Sequence, residues 1–298
     1  MDPYGNEAAS EERASGPVST IEPYFIGLDR AMVSLGPLTE QVYCTYKCTF
    51  CYVRGPYQKY ARRSVDEIFD WLKARRDDYK IVYVSGDTDS FAPPRTAQGL
   101  DLLSLLADLE RHVLFTTRYV FNRDERDRLL ELRARYAVGE LELIPCVSVC
   151  QLHHPGLEPR SIPSPEARLE QLRWFHEHGF KVVLTIRPFM PYIEPQEYVE
   201  IVEKGGPHCA VVLGGHWYTD PDGVIDGSTR RSLGLTESQL DPGLSQRGRL
   251  DSTYSEIEWD ETPHPEAIAA VEAACKEIDR PFFMRSSGAL DHLIPRWR

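Results

Sequence analysis

Along most of the chain, apolar runs typical of buried strands alternate with amphipathic stretches of helical period. Flanking residues support the helices: Ser64 with Glu67 and Asn122 with Glu125 have capping-box spacing, and Ser164 directly precedes a proline. The predicted strands lie at residues 38–43, 80–86, 112–118, 141–150, 181–189 and 209–215, with a short last strand at 281–285. The predicted helices begin near residues 64, 97, 122, 164, 194 and 265.

This alternation predicts a parallel sheet covered by helices, because strands that are apolar on both faces occur where helices pack on the sheet. The expected fold class is α/β, a partial (β/α)6 TIM-type barrel with a C-terminal extension, and ligands are expected at the carboxyl ends of the strands. We expect a disordered arm at residues 1–17, a core at 18–215 and an extension at 216–298 that completes the barrel. The acidic stretch 216–262 has little obvious structure and is predicted to be a lid, with a solvated loop as the alternative.

The composition excludes several classes of protein. Hydrophobic residues make up 42% of the 298 residues, which excludes a disordered or low-complexity chain for most of its length. The formal net charge of -12 argues against a general nucleic-acid binder, which would need clustered Lys and Arg. Most of the negative charge lies in residues 1–17 and 216–262, so an anionic substrate in the core remains compatible with it. Without a bilayer-spanning apolar run or a signal-peptide pattern, we expect a cytoplasmic protein with no membrane partner.

Three of the seven cysteines, Cys44, Cys48 and Cys51, follow the first predicted strand with the spacing C-x-x-x-C-x-x-C. Three thiolates on a short loop can bind three irons of a cubane cluster and leave the fourth iron open to a small molecule. A structural zinc site would need four ligands, and no second C-x-x-C or H-x-x-x-H pair is present. A non-catalytic iron–sulfur or zinc protein is nevertheless kept as an alternative.

With the aromatic Phe50 directly before the last cysteine, this loop resembles that of the radical S-adenosylmethionine (radical SAM) superfamily, and the resemblance extends over about residues 35–215. It implies a [4Fe–4S] cluster on Cys44, Cys48 and Cys51, with S-adenosylmethionine (SAM) as the second cofactor. The implied activity is reductive cleavage of SAM to a 5′-deoxyadenosyl radical that abstracts hydrogen from a substrate. An electron donor such as flavodoxin or ferredoxin is implied as a partner.

The resemblance also implies residues that bind SAM. Residues 85–87 stand where the family has a Gly-Gly-Glu-like turn for the methionine ammonium, although this sequence has the shorter Asp87. By the same resemblance, Ser148 on the fourth predicted strand contacts the ribose or carboxylate, Arg168 binds the carboxylate and Phe50 flanks the adenine. Arg187 is assigned to the cofactor or the substrate. The predicted SAM-binding residues are Phe50, Ser85, Gly86, Asp87, Ser148, Arg168 and Arg187.

Other strand-end side chains are assigned to the substrate pocket. The neighbouring His153 and His154 are interpreted as hydrogen-bonding groups, because adjacent side chains in an extended chain point apart and chelate poorly. Cys150, which ends the fourth predicted strand, is the candidate hydrogen-atom donor, with simple packing of a buried cysteine as the alternative. The predicted substrate residues are Asp89, Arg118, His153, His216, Tyr218 and Arg285.

The predicted function is therefore a radical SAM enzyme acting on a small polar or anionic metabolite. Epimerisation, rearrangement, elimination and bond cleavage remain open, and biosynthesis of a specialised compound is expected. Residues 167–191 are also similar, in a generic way, to spore photoproduct lyase-related enzymes. A lyase acting on modified DNA or a peptide is therefore the alternative within the superfamily.

Overall fold

An open, mostly parallel sheet of eight strands forms the framework of the molecule. The computed structural model describes residues 20–27, 29–35, 44–54, 59–240, 243–249 and 258–295. The predicted arm at 1–17 and the strand predicted at 38–43 lie outside the described residues. The strands are β1 Thr20–Ile21, β2 Tyr24–Gly27, β3 Arg30–Val33, β4 Lys59–Tyr60, β5 Ile81–Val84, β6 His112–Thr117, β7 Leu143–Ser148, β8 Val183–Ile186, β9 Val211–Gly214, β10 Trp217–Thr219, β11 Gln246–Arg249, β12 Glu258–Thr262 and β13 Phe282–Phe283.

The eight strands follow the order β13-β9-β8-β7-β6-β5-β3-β2, and all neighbouring pairs are parallel except the antiparallel hairpin of β2 and β3. Over the part of the chain that the structure describes, β2 and β13 remain the two edges, so the barrel is not closed. The fold is thus α/β with a partial TIM-type barrel, as the sequence predicts. The remaining strands form a parallel pair, β1 with β4, and an antiparallel sheet ordered β10-β12-β11.

Local sequence signals account for the helices. Both predicted capping boxes are confirmed. The side chains of Ser64 and Asn122 accept from the backbone N–H groups of Glu67 and Glu125, and each glutamate side chain accepts from the backbone N–H of its capping residue. Ser164 caps a helix whose first residue is Pro165. The helices are α1 Val65–Ala74, α2 Thr96–Leu106, α3 Arg123–Val138, α4 Pro165–Glu177, α5 Pro195–Gly205, α6 Val224–Leu233, α7 Pro265–Glu277 and α8 Ser286–Leu293. No helix in the described part of the chain has the length and apolar character needed to cross a bilayer.

The two faces of the sheet contribute to separate cores. Alternate strand residues, such as Val82 and Phe115, pack with the helices on the outer face. The opposite residues, such as Ile81 and Leu114, pack on the inner face, where Leu290 of α8 covers the sheet. The carboxyl ends of the parallel strands meet at one edge, which is where the chemistry-bearing loops lie.

Two regions differ from the sequence-based expectation. The parallel neighbour of β5 is β3, which pairs Val33 with Val84; the sequence analysis did not identify the hairpin that contains it. Its strands are only four residues long, so their alternation is weak. Residues 216–262, in which little structure was expected, contain β10, α6, β11 and β12. The polar composition of this segment gives its short elements only a weak hydrophobic pattern.

Candidate active site

The three clustered cysteines lie together in residues 44–54, here called the cysteine loop. Cys48 is buried, Cys44 and Cys51 are half-buried, and none forms a disulfide. The loop closes tightly, since the Cys51 backbone N–H donates to the Cys48 carbonyl at 3.2 Å. Burial raises the pKa of Cys44 and raises that of Cys48 well above the ordinary value of a thiol. Both groups therefore favour the protonated thiol, and a metal that binds them would displace the proton.

Elements far away in the sequence hold the backbone of the cysteine loop. The Trp217 indole Nε1–H donates to the Phe50 carbonyl at 3.1 Å, and the Thr229 hydroxyl donates to the Thr49 carbonyl at 3.4 Å. The Thr49 N–H donates to the Leu157 carbonyl at 3.0 Å. We call β10 and α6, which carry Trp217 and Thr229, the brace. Part of the predicted lid segment therefore fixes the cysteine loop in place.

The turn after β5, residues 85–90, lies beside this loop and is here called the β5 turn. Ser85 adopts a left-handed conformation with φ of 66°, and its hydroxyl accepts from the Ser90 N–H at 3.0 Å. A Cβ at Gly86 would lie 2.5 Å from Met32 Cε, so the flexible end of the Met32 side chain would have to shift to admit it. The Tyr52 hydroxyl donates to Asp87 Oδ1 at 2.8 Å, so Asp87 reaches the cysteine loop. Burial raises the pKa of Asp87 to about 7.

Asp89, predicted to be a substrate residue, accepts several hydrogen bonds from the protein itself. Its buried carboxylate accepts from the Phe91 N–H at 3.0 Å, the Thr117 hydroxyl at 2.9 Å and the Arg118 N–H at 2.6 Å. These donors use most of the acceptor sites of the carboxylate, and they tie the β5 turn to the end of β6. Asp89 thus joins two strand ends, which its position in a Gly-Asp-Thr-Asp sequence did not reveal, and its contact with a substrate stays a prediction.

Arg168, predicted to bind the SAM carboxylate, has a carboxylate partner within the protein. Its side chain is fully buried and forms two bonds to Glu158, with Nη1 3.0 Å from Oε1 and Nη2 2.5 Å from Oε2. Nη1 also donates to the Ser148 carbonyl at 2.7 Å. Nη1 and Nη2 are thus used by Glu158 and Ser148, whereas the buried Nε has no hydrogen-bond partner among the described residues. The contact of Arg168 with the SAM carboxylate stays a prediction. The sequence analysis missed Glu158, because nothing in the loop pattern around it signals a buried acid.

Arg118 and Cys150 both contact the same carboxylate. Arg118 Nε donates to Glu158 Oε1 at 3.0 Å, and its guanidinium carbon lies 5.7 Å from the centre of the Phe50 ring. Cys150 is fully buried, with Sγ 3.8 Å from Glu158 Oε1. Burial raises the pKa of Cys150 to about 12, so it carries its hydrogen at neutral pH. Hydrogen donation by Cys150 stays a prediction.

The inner face of the sheet carries a group of small polar side chains near this edge. Ser148 and Thr185 are paired across β7 and β8, and both are buried. The Thr185 hydroxyl has no hydrogen-bond partner among the described residues. Two residues before Ser148, Cys146 shares its face of the strand and is paired with Thr116. Arg187 follows two residues after Thr185, and its Nη2 donates to the Met284 carbonyl at 3.0 Å.

The remaining predicted substrate residues are dispersed. Tyr218 is half-buried, and its ring lies 6.1 Å from that of Tyr52 in the cysteine loop. His216 is paired with Glu261 at 3.4 Å. His153 is exposed and interacts with Glu200 of α5, and Arg285 is exposed before α8, so neither is brought to the cysteine loop by a described contact.

Buried polar atoms without partners occur within the cysteine loop and at the ends of β3 and β5, and they offer a test of whether the implied cofactors fit. Four such hydroxyls belong to Ser34 at the end of β3, Thr45 and Tyr46 in the cysteine loop, and Thr88 in the β5 turn. Buried hydroxyls without partners are rare in proteins and often indicate an additional ligand. Among the described residues, no three His, Cys, Asp or Glu side chains approach closely enough to hold a single metal ion. A cluster that spreads three thiolates over three irons, together with a polar ligand, fits this arrangement.

Comparison with known families agrees with this geometry. The model of the radical SAM superfamily matches residues 41–205, which is more than half of the chain. The chain belongs to the radical SAM superfamily. Radical SAM proteins use a [4Fe–4S] cluster and SAM, so both are cofactors of this chain.

Three proteins illustrate the similarity. The uncharacterised protein ORF301 of Acidianus two-tailed virus is 27% identical over 178 residues, which is 53% of this chain and 56% of that protein. Streptococcus suis SuiB bound to the precursor peptide SuiA has a TM-score of 0.55 at 13% identity, over 90% of this chain and 49% of SuiB. Spore photoproduct lyase with dinucleoside spore photoproduct has a TM-score of 0.54 at 13% identity, over 85% of this chain and 81% of the lyase. This radical SAM chain thus spans about half the length of ORF301 and SuiB, and the solved structures share its fold.

Proposed function

We propose that this radical SAM protein is an enzyme whose Cys44, Cys48 and Cys51 bind three irons of the [4Fe–4S] cluster. The observation that carries the proposal is the cysteine loop at the carboxyl edge of the sheet, with partnerless hydroxyls beside it. When bound, the cluster and SAM supply a 5′-deoxyadenosyl radical by one-electron cleavage of a carbon–sulfur bond. A one-electron donor such as flavodoxin or ferredoxin would serve as the redox partner.

The residues of the chain would orient SAM and exclude water. Asp87 would accept from the methionine ammonium, and this new charge would favour its carboxylate form. The backbone of Ser85 and Gly86 shapes the β5 turn that presents Asp87, and Gly86 leaves room beside Met32. Ser148 would contact the ribose, and Phe50 would pack against the adenine. Arg168, which bonds to the Ser148 carbonyl, would contact the SAM carboxylate.

For the substrate, we propose a small polar or anionic molecule on the inner face of the sheet. The hydroxyls of the half-buried Thr116 and of the buried Ser148 and Thr185, with the guanidinium of Arg187, give this otherwise apolar face hydrogen-bonding groups. Small-molecule sites typically combine an apolar lining with a few polar groups that fix the orientation of the ligand. Tyr218 of the brace and His216 beside it would form the wall nearest the cysteine loop.

Anaerobic reconstitution with iron and sulfide tests the proposed activity. The reconstituted protein, reduced with dithionite, is expected to convert SAM to 5′-deoxyadenosine and methionine, measured by liquid chromatography and mass spectrometry. The rate should rise when small molecules extracted from cells are added. A protein that binds no iron, or binds the cluster and leaves SAM intact, would contradict the proposal.

A lyase acting on a peptide or on modified DNA is the second candidate. It is favoured by the shared fold with SuiB and spore photoproduct lyase, which were solved with a precursor peptide and a dinucleoside photoproduct. The net charge of -12 weighs against DNA. This candidate replaces the first if peptide or irradiated oligonucleotide fractions, and not the small-molecule fraction, accelerate 5′-deoxyadenosine formation.

A further inference from the structure

The side chain of Arg187 is held across the carboxyl ends of three neighbouring strands. Arg187 directly follows β8, its Nε donates to the Gly214 carbonyl at the end of β9, and its Nη2 donates to the Met284 carbonyl after β13 at 3.0 Å. Gly215 leaves room for this side chain, since a Cβ at Gly215 would lie 2.7 Å from Nε and 2.9 Å from Cγ of Arg187. The guanidinium therefore has a fixed place at the edge where parallel sheets bind their ligands.

The groups that hold this guanidinium are neutral. Two of the five N–H groups of Arg187 donate to backbone carbonyls, which orient the side chain without compensating its charge. Among the described residues, no carboxylate forms an ion pair with Arg187, and Nη1 donates to no described group. Three N–H groups, including both of Nη1, thus remain for a ligand. The side chain is half-buried, so a ligand can reach it.

Acids elsewhere at this edge of the sheet have partners of their own. Glu261 of β12 is half-buried, and its Oε1 lies 3.4 Å from Nε2 of His216. The buried carboxylates of Asp89 and Glu158 both bond to Arg118, the first at its backbone N–H and the second at its Nε. No acid with a described partner therefore takes up the remaining N–H groups of the guanidinium.

A buried hydroxyl on the same face of β8 adds a second group for a ligand. Thr185 lies two residues before Arg187, so the alternation along a strand places both side chains on the inner face. Thr185 is 3% exposed, and its hydroxyl has no hydrogen-bond partner among the described residues. Since buried hydroxyls without partners are rare, this one indicates a ligand on the inner face.

We propose that Arg187 binds a carboxylate of the substrate, which is therefore a small carboxylic acid. The inference rests on the proposed function and names the class of substrate for the same pocket. A planar guanidinium suits a carboxylate because it can donate two parallel N–H bonds to the two oxygens. A phosphate monoester carries about -1.5 to -2 charges at neutral pH, which is more than a single guanidinium compensates.

Retention of small molecules by the reconstituted full-length protein tests the proposal without turnover. The unreduced protein is mixed with SAM and a small-molecule extract of cells, and the molecules retained on ultrafiltration are identified by mass spectrometry. Wild type should retain a carboxylic acid other than SAM, and methyl esterification of the extract beforehand should abolish this retention. Arg187→Gln should retain about tenfold less of the acid, because bonds from a charged donor are lost, and should retain SAM as wild type does. Arg187→Lys keeps the charge but not the planar fork and should recover part of the retention.

The matched control is Arg123→Gln, which removes an exposed arginine at the start of α3 and should retain the acid as wild type does. Equal retention of the acid by wild type and Arg187→Gln would overturn the proposal, as would loss of SAM in its place. Retention by wild type of no carboxylic acid besides SAM, or of neutral or phosphorylated molecules alone, would also overturn it.

A second variant keeps the proposal testable if Arg187→Gln does not fold. Gly215→Ala leaves the charge in place but crowds the stem of the Arg187 side chain, so retention of the acid should fall. Wild-type retention by Gly215→Ala would then decide against the proposal. Failure of the wild-type protein to cleave SAM after reduction would refute the proposed function, and that result is separate because retention is measured without reduction.

Discussion

The cysteine loop and the β5 turn lie side by side at the same sheet edge, yet they are stabilised in different ways. The β5 turn is fixed mainly by nearby groups: Ser90 bonds back to Ser85, and Asp89 bonds to Phe91 and to the neighbouring strand end. The cysteine loop is fixed from outside, by Trp217 and the rest of the brace. Because the loop must leave its thiols available for metal, its backbone is held by other parts of the chain. Removing a contact of the cysteine loop should therefore affect iron binding. Removing a contact within the β5 turn should instead reduce the overall stability of the protein.

The largest expected effect is on metal content. Cys51→Ala removes one of the three proposed cluster ligands, so reconstituted protein should lose nearly all of its about four irons per chain. Colorimetric iron and sulfide analysis measures this. Cys275→Ala is the matched control, because it removes a buried thiol from α7 and should leave the iron content unchanged. Equal iron in the two variants would show that the loop is not the cluster site.

Loss of the central carboxylate of the β5 turn should reduce stability next most strongly. Asp89→Ala leaves the Thr117 hydroxyl and the backbone N–H groups of Phe91 and Arg118 without their partner, at a cost of about 3 kcal/mol in the free energy of unfolding. Urea denaturation of the cofactor-free protein measures the change. Asp101→Ala, which removes an exposed acid on α2, should change it by less than about 1 kcal/mol. Similar losses in both variants would contradict the structural role of Asp89.

A smaller effect is expected when the brace loses one hydrogen bond. Trp217→Phe keeps most of the packing but leaves the Phe50 carbonyl without its donor, which should cost about 1 kcal/mol of stability. The cluster should also be released faster under a chelator, measured by the decay of its visible absorbance. Trp174→Phe on the outer side of α4 should release iron at the wild-type rate. If both release iron equally, the brace does not fix the loop.

A pH dependence is expected at the contact between the two regions. Burial raises the pKa of Asp87 to about 7, above the value of about 3.9 expected in the unfolded chain. The folded state therefore binds this proton more tightly. Its contribution to the free energy of unfolding is fully present below about pH 4 and is lost as the pH rises through about 7.

Asp87→Asn in the cofactor-free protein should reduce the decline in stability between about pH 5 and about pH 8, measured by urea denaturation. Tyr52→Phe should have the opposite effect, because it removes the 2.8 Å hydrogen bond that favours the carboxylate and so raises the pKa further. Identical pH profiles for wild type and both variants would show that Asp87 is not the source of the pH dependence of stability.

Much of the framework could be predicted from local patterns. The described strands from β5 to β9 and β13 lie within the predicted apolar runs, and the capping boxes at Ser64 and Asn122 begin the helices as expected. The roles of charged residues were less predictable. Asp89 and Arg168 were assigned to ligands because they follow strands or lie on the right helix, but the structure pairs them with Thr117 and Glu158. A side chain's sequence position shows which edge it approaches, and not which partner it finds there.

By itself, the sequence determined the alternating α/β framework and the three cysteines with cluster-binding spacing, because periodicity, caps and ligand spacing are properties of neighbouring residues. Only the tertiary structure decided that Trp217 holds the loop 167 residues before it, and that Glu158 joins Arg118 to Arg168. The physical reason is that buried charges and carbonyls must find partners wherever packing brings them. Those partners are chosen by the whole fold, which no local pattern encodes.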